Sequence, residues 1–239
     1  MLSGETAHPH FPNEKLRFIA NCAHLLKHLR AALIKHVVIY LPENIAVKYA
    51  LPTNEVSFDW IVKLVNYEKD KELKLAPKLT MKHLRPSKFE KTNIDLAAQV
   101  FSRTTGSAIK TLVGQQVLSQ EALSTAFFCD YFNNWFDLMS STSCENSLFK
   151  DSTEKIQFLL EVKDMVDNME FGNVKTSKVP VQTGIQLSTL SIISMHEELV
   201  KGGNLDFFLT SRFMQDSLEN LLSQIHGFRN PNPRPGRFL

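Results

Sequence analysis

The feature that most restricts this chain is a helical repeat of apolar residues along most of its length. Ile19, Cys22, Leu26, Leu29 and Leu33 recur at steps of three or four. That spacing lines one side of a helix, expected here from Asn13 to His36. Phe58, Ile61, Leu64 and Val65 repeat the pattern, as do Leu123, Phe127, Tyr131, Trp135 and Leu138. The aromatic members of the latter stripe read as core packing. "TEKIQFLLEVKDMVDNM" and "IQLSTLSIISMHEEL" are two further helices, and "MQDSLENLLSQIHGF" puts Leu218, Leu221, Leu222 and Ile225 on one side of another. Ser87 and Glu90 form a capping-box pair, predicting a helix that starts there and runs past Phe101, with Gly106 bending or ending it. Strand signals are few. "HVVIYLP" reads as a short buried strand ended by Pro42, and "LDFFLTS" as a strand or an extended entry to the last helix. Gly202–Gly203 marks a turn, and the Pro-rich "RNPNPRPGRFL" is not helical.

Charge and cysteine usage remove several classes. The 239 residues carry a formal net charge of only +2, so bulk charge does not mark a nucleic-acid binder. Its distribution is uneven: residues 61–91 hold nine Lys/Arg against four Asp/Glu, and residues 129–171 hold nine Asp/Glu against three Lys. Cys22, Cys129 and Cys144 are an odd set without a CxxC pair, which argues against a disulfide framework or a Cys-rich zinc site. His24 and His28 are the one His pair at i, i+4 spacing, without an acidic third ligand beside them. No apolar run reaches membrane-spanning length, and the first residues lack a signal-peptide pattern, so an intracellular location is expected. Walker A, GxGxxG, HExxH and GxSxG motifs are absent.

What remains is a pair of acids. Asp216 and Glu219 are three apart, neighbours on the polar side of the last predicted helix. The ordinary reading is a solvated face. The sharper one is a Mg2+ site, which needs one or two carboxylates together with further oxygen ligands from elsewhere.

The same stretch, "TSRFMQDSLENLLSQIHGF" followed by "NPNPRP", resembles the end of the catalytic domain of P-element-type transposases, the group that includes the THAP-domain transposases. "CAHLLKHLRAAL", "FDWIVKLV", "KLTMKHLRPSKFEKTNIDLAAQVFS" and "YFNNWFDLMSS" follow the family's order, covering nearly all of residues 13–239. The resemblance implies a mainly α fold, in which a helical GTP-binding insertion domain is attached to a partial RNase H-like α/β fold. The implied divisions are a partial RNase H-like segment at 1–50, the insertion domain at 51–205, and a C-terminal RNase H-like segment at 206–239. Carried over residue by residue, Glu219 matches the third catalytic acid and a Mg2+ ligand, and Asp216 an acid holding the Mg2+ of GTP. Lys78, Asn93, Ile94 and Ser102 fall on nucleotide contacts. Phe136 and Asp137 match a pair at the guanine: the ring packs on the base, and the carboxylate accepts from N1–H and the 2-amino group. Ser140 stands where the family usually has asparagine, and Asn93 where it often has lysine.

One departure bears on chemistry. Asn21 occupies the place of a catalytic Asp, a degenerate position whose neutral amide removes a charge from a two-metal site. The family's first catalytic Asp and its THAP zinc module precede the stretch that this chain matches. The expected function is therefore a P-element transposase-derived protein that binds guanine nucleotide and DNA, without strand transfer as an isolated chain. The alternatives are a helical interaction protein that has lost the nucleotide site, and a truncated fragment of an active DDE transposase. GTP and Mg2+ are the implied cofactors. The implied partners are guanine nucleotide and DNA, the DNA bound weakly and without sequence preference; self-association is left open, no membrane is expected, and the implied location is nuclear.

Overall fold

The computed structural model describes residues 4–11, 13–87, 90, 93–172 and 178–213. Its elements follow the order β1 (Glu5–Ala7), β2 (Lys15–Arg17), α1 (Cys22–His36), β3 (Val38–Tyr40), α2 (Glu43–Lys48), β4 (Glu55–Ser57) and α3 (Phe58–Glu68). Then come α4 (Met81–Leu84), α5 (Ile94–Val100), α6 (Arg103–Gly114), α7 (Ala122–Met139), β5 (Leu148–Phe149), α8 (Thr153–Asn168), β6 (Glu170–Phe171), α9 (Pro180–Met195) and β7 (Phe207–Phe208). The chain is mainly α, with a small α/β part, as expected. "LDFFLTS" does contain a strand, which pairs with β5.

One apolar core runs from Cys22 to Phe208. Helix α7 passes through it with Phe128, Phe132 and Trp135 fully covered. Phe128 and Phe132 lie 4.6 Å apart in a tilted arrangement, a geometry that adds about 0.5–1.5 kcal/mol to simple burial. The Trp135 indole N–H donates to the Thr189 hydroxyl on α9 at 3.1 Å, so its polar edge is satisfied inside the core. Helices α6 and α7 pack closely because Gly106 has no side chain. A Cβ there would stand 2.3 Å from Asp130 Oδ1 and 3.0 Å from the Ala126 carbonyl oxygen.

Strand β3 is central in a three-stranded antiparallel sheet of order β4-β3-β6. Ile39 faces Val56 on one side and Phe171 on the other, and all three are buried.

Two boundaries differ from the sequence expectation. Helix α1 starts at Cys22 rather than Asn13, because Asn21 caps it, its Oδ1 accepting from Ala23 N at 2.9 Å. Residues 15–17 pair instead with β1. This arm is then tied to α9 by serines one turn apart. Ser188 Oγ accepts from Ala20 N, Ser191 Oγ donates to the Gly4 and Phe18 carbonyls, and Ser194 bonds Arg17 and Glu5.

The second difference concerns Phe101. The Ser87 and Glu90 capping bonds form, but α5 begins only after Asn93 and ends at Val100. The break is made by Ser102, whose hydroxyl accepts from Thr105 N at 3.1 Å and donates to the Gln99 carbonyl at 2.9 Å. A new helix, α6, therefore starts there, and Gly106 lies inside it rather than at a bend.

Candidate functional site

A cleft of about 390 Å³ opens between the loop after α3 and the facing ends of α5 and α6. Ala76 to Leu79 form one wall, Asp95 and Gln99 the second, and Ser102, Thr104 and Thr105 the third. The sequence builds the loop wall with a buried acid. Glu68 ends α3 at 3% exposure, and its carboxylate accepts from the backbone N–H groups of Leu75 at 2.6 Å and Ala76 at 3.2 Å. Two main-chain donors thus satisfy the buried charge and fix the turn that delivers Lys78. The helical walls are held by hydroxyls: both Ser102 and Thr105 donate to the Gln99 carbonyl. The N-terminus of α6, capped by Ser102, brings its positive dipole end to this rim.

The cleft brings Lys78 and Ser102 together. Ile94 opens α5, one residue before the cleft-lining Asp95. Asn93 is exposed, and its side chain caps α5 by accepting from Leu96 N.

Phe136, Asp137 and Ser140 form a second group on the last turns of α7, all half-buried. Ser140 Oγ donates to the Phe136 carbonyl at 2.6 Å. Burial pushes the Asp137 carboxyl above the ordinary carboxylate range, while the Arg103 charge and the Asn133 amide, at 2.8 Å, pull it back. Arg103 links the two groups. It follows Ser102, donates to Asn134 on α7 at 3.0 Å and faces the Asp137 charge.

Asn21 does not line this cleft. It caps α1 at 4% exposure, and its amide nitrogen has no hydrogen-bond partner among the described residues. Asp216 and Glu219 lie outside the described residues. Among the described residues, no group of three or more His, Cys, Asp or Glu is placed to hold a metal, and no helix is long and apolar enough to cross a membrane.

Sequence reasoning missed Glu68, His83, Asp95, Gln99 and Arg103. For Glu68 a signal existed: it continues the Ile61, Leu64, Val65 stripe, where an acid signals a buried charge with a task. For the others, spacing carries no mark.

A family model described as "TNP-like, GTP-binding insertion domain" matches residues 23–152. Over 172 residues, 70% of this chain, the sequence is 27% identical to the transposable element P transposase of Drosophila melanogaster, covering 22% of that protein. Among solved structures, a chain of the Drosophila P element transposase strand transfer complex aligns with a TM-score of 0.81 at 20% identity, over 99% of this chain and 51% of that one. The sequence therefore spans about a fifth of its curated relative and about half of the solved chain, and at this identity the second likeness concerns the fold.

Proposed function

We propose a nucleotide-binding function from the premise that the chain belongs to the TNP-like, GTP-binding insertion domain family. In this reading a P-element transposase-related protein holds a guanine nucleotide between the cleft and the end of α7. The observation that carries it is the division of chemistry between the two groups. Lys78, the Thr104 hydroxyl and the start of α6 supply positive charge and donors, which suit phosphate and ribose oxygens, while Ser102 shapes that rim as the cap of α6. Asp137, half-buried beside Phe136, supplies an acceptor pair and an aromatic face, which suit guanine. The donor set fits a nucleotide triphosphate. Bound Mg2+ would neutralise phosphate charge, and Asp216 is the acid proposed to help hold it. Ile94 is proposed to pack against the nucleotide.

Asn21 and Glu219 are proposed as remnants of a strand-transfer site, with Asn21 now a helix cap. DNA is the proposed macromolecular partner, met through the basic stretch from Lys63 to Lys91 and through Arg229, Arg234 and Arg237, which lie outside the described residues. Its affinity should be weak, sequence-independent and strongly reduced by salt. A nuclear location goes with that role, and the division at residues 50 and 205 is kept as the proposed domain boundary.

A second reading, an interaction protein without nucleotide, is favoured by one observation. Asn93 and Ser140 both spend their side chains on their own helices.

The two readings separate in a titration of the protein and its Asp137→Asn variant with GTP, ATP and XTP in Mg2+. GTP should bind best to the unaltered protein. Asp137→Asn should weaken it by on the order of 2 kcal/mol while relatively favouring XTP, whose position 2 carries a carbonyl. Equal affinities for the three nucleotides, unchanged by the substitution, would leave the interaction reading.

A further inference from the structure

His83 joins two walls of the cleft. It is 2% exposed, on the short helix α4. Its Nδ1 lies 3.0 Å from the main-chain nitrogen of Thr80, next to the Ala76–Leu79 wall, and its Nε2 lies 2.7 Å from Gln99 Oε1 on the α5 wall.

His83 Nδ1 lies 3.0 Å from Thr80 N, 3.1 Å from its hydroxyl and 3.2 Å from its carbonyl oxygen. The main-chain N–H is the nearest and only donates, and the carbonyl already accepts from His83 N at 3.0 Å, so Nδ1 is assigned as the acceptor from Thr80. In the neutral ring the proton then sits on Nε2, which must donate. Gln99 therefore has to answer with its oxygen. Its NH2 end is left over, and among the described residues it donates to nothing. The Gln99 main chain cannot turn away either, since the Ser102 and Thr105 hydroxyls both hold its carbonyl.

We infer that His83 is a positioning residue that fixes the orientation of the Gln99 amide, so that Gln99 donates from the cleft wall to an acceptor oxygen on the ribose-phosphate part of the nucleotide. This rests on the nucleotide reading above and deepens it. Gln99 would be the contacting residue. His83 would act through it, and through the Thr80 end of the Lys78 loop. The arrangement places a neutral donor in the same cleft as the Lys78 cation, adding direction to a site where Lys78 supplies only charge.

The test is a GTP titration in Mg2+ of the protein, Gln99→Glu, Gln99→Leu, His83→Phe and the His83→Phe/Gln99→Leu double variant, together with ¹⁵N NMR of the His83 ring. Gln99→Glu keeps an oxygen for His83 but turns the second oxygen, an anion, towards the nucleotide. It should weaken GTP about tenfold or more, and more than Gln99→Leu does. The double variant should be no weaker than its poorer single variant, since both break one link. The NMR spectrum should show the Nε2–H tautomer. If His83→Phe does not fold, the two variants at half-buried Gln99 and the tautomer carry the test. GTP binding that is unaltered in the Gln99 variants, or an Nδ1–H tautomer, overturns the inference and leaves the nucleotide reading standing. Failure of the unaltered protein to bind GTP removes both.

Discussion

Gly106→Ala opposes two effects of known size. In an exposed helix interior, Ala is favoured over Gly by about 0.8–1 kcal/mol. Here the added Cβ would sit 2.3 Å from Asp130 Oδ1, 2.8 Å from Asp130 Cγ and 3.0 Å from the Ala126 carbonyl oxygen. The Asp130 side chain can swing away, at the expense of its 2.6 Å ion pair with Lys110. That pair is half-exposed, so its loss costs about 0–1 kcal/mol. The Ala126 carbonyl belongs to helix α7 and cannot move alone. Forcing α6 off α7 is overpacking, at about 1–3 kcal/mol. The net expectation is a loss of about 1–2 kcal/mol. Urea denaturation should show a lower midpoint with an unchanged slope, and the thermal midpoint should fall by about 2–8 °C. The decisive measurement repeats the substitution in an Asp130→Ala background, where the nearest obstruction is gone. There the Ala126 carbonyl still obstructs, so Gly106→Ala should cost only about 0–1 kcal/mol less than in the unaltered protein. If the substitution stabilises the protein in either background, the close approach of α6 and α7 is not what requires glycine.

Other outcomes follow from buried polar groups. Glu161 receives Lys48 and Tyr49, and the Tyr131 hydroxyl at 2.9 Å. Burial pushes its carboxyl up, but these bonds together outweigh it and hold the group below the usual carboxylate range. A lowered folded-state value means stability that is present above the unfolded value and lost as pH falls through the folded one. Glu161→Gln should thus cost about 1–3 kcal/mol at pH 7, with the gap to the unaltered protein narrowing below about pH 4.5; denaturation midpoints measured from pH 7 to 3 check this, and a constant gap contradicts it. Thr189→Val leaves the Trp135 indole N–H buried without its acceptor and should cost about 1–3 kcal/mol by urea denaturation, although the shape is kept. Glu68→Ala frees the Leu75–Ala76 turn, and if the nucleotide reading holds it should weaken GTP several-fold by calorimetry while DNA retention is unchanged.

The long helices were legible because burial on one side leaves a period in the sequence. Helices α3, α7, α8 and α9 lie where the apolar spacing put them. Even so, the stripe on α7 understated that helix. Phe128 and Phe132, outside the stripe, are fully covered, while Leu123 and Phe127 are only partly so. A helix buried on most sides has no single face to read. Strands of two or three residues, such as β1, β2, β5 and β6, are too short to show alternation. The break at Ser102 was hidden because Gly106 drew attention as the punctuating residue, whereas a hydroxyl cap made the break. At the site, Lys78, Ser102 and Asp137 were reached through family resemblance alone. His83 and Gln99 carry no sequence mark, because what matters is a proton direction set by the Thr80 main chain.

The central place of β3 has a consequence for the order of assembly. Its pairing with β4 closes a short local loop, whereas its pairing with β6 joins Tyr40 to Glu170. The second loop is roughly nine times longer, which adds about 2 kcal/mol of closure entropy. The β3–β4 hairpin and the helices around it should therefore form early, with β6 arriving late between α8 and α9. Until then β3 offers an open edge, the form most prone to pairing with a second molecule. The stretch matched by the family model, residues 23–152, contains β3 and β4 but not β6. A recombinant piece trimmed to that boundary would keep the edge open for good and should aggregate during refolding, whereas one extended through α9 should not.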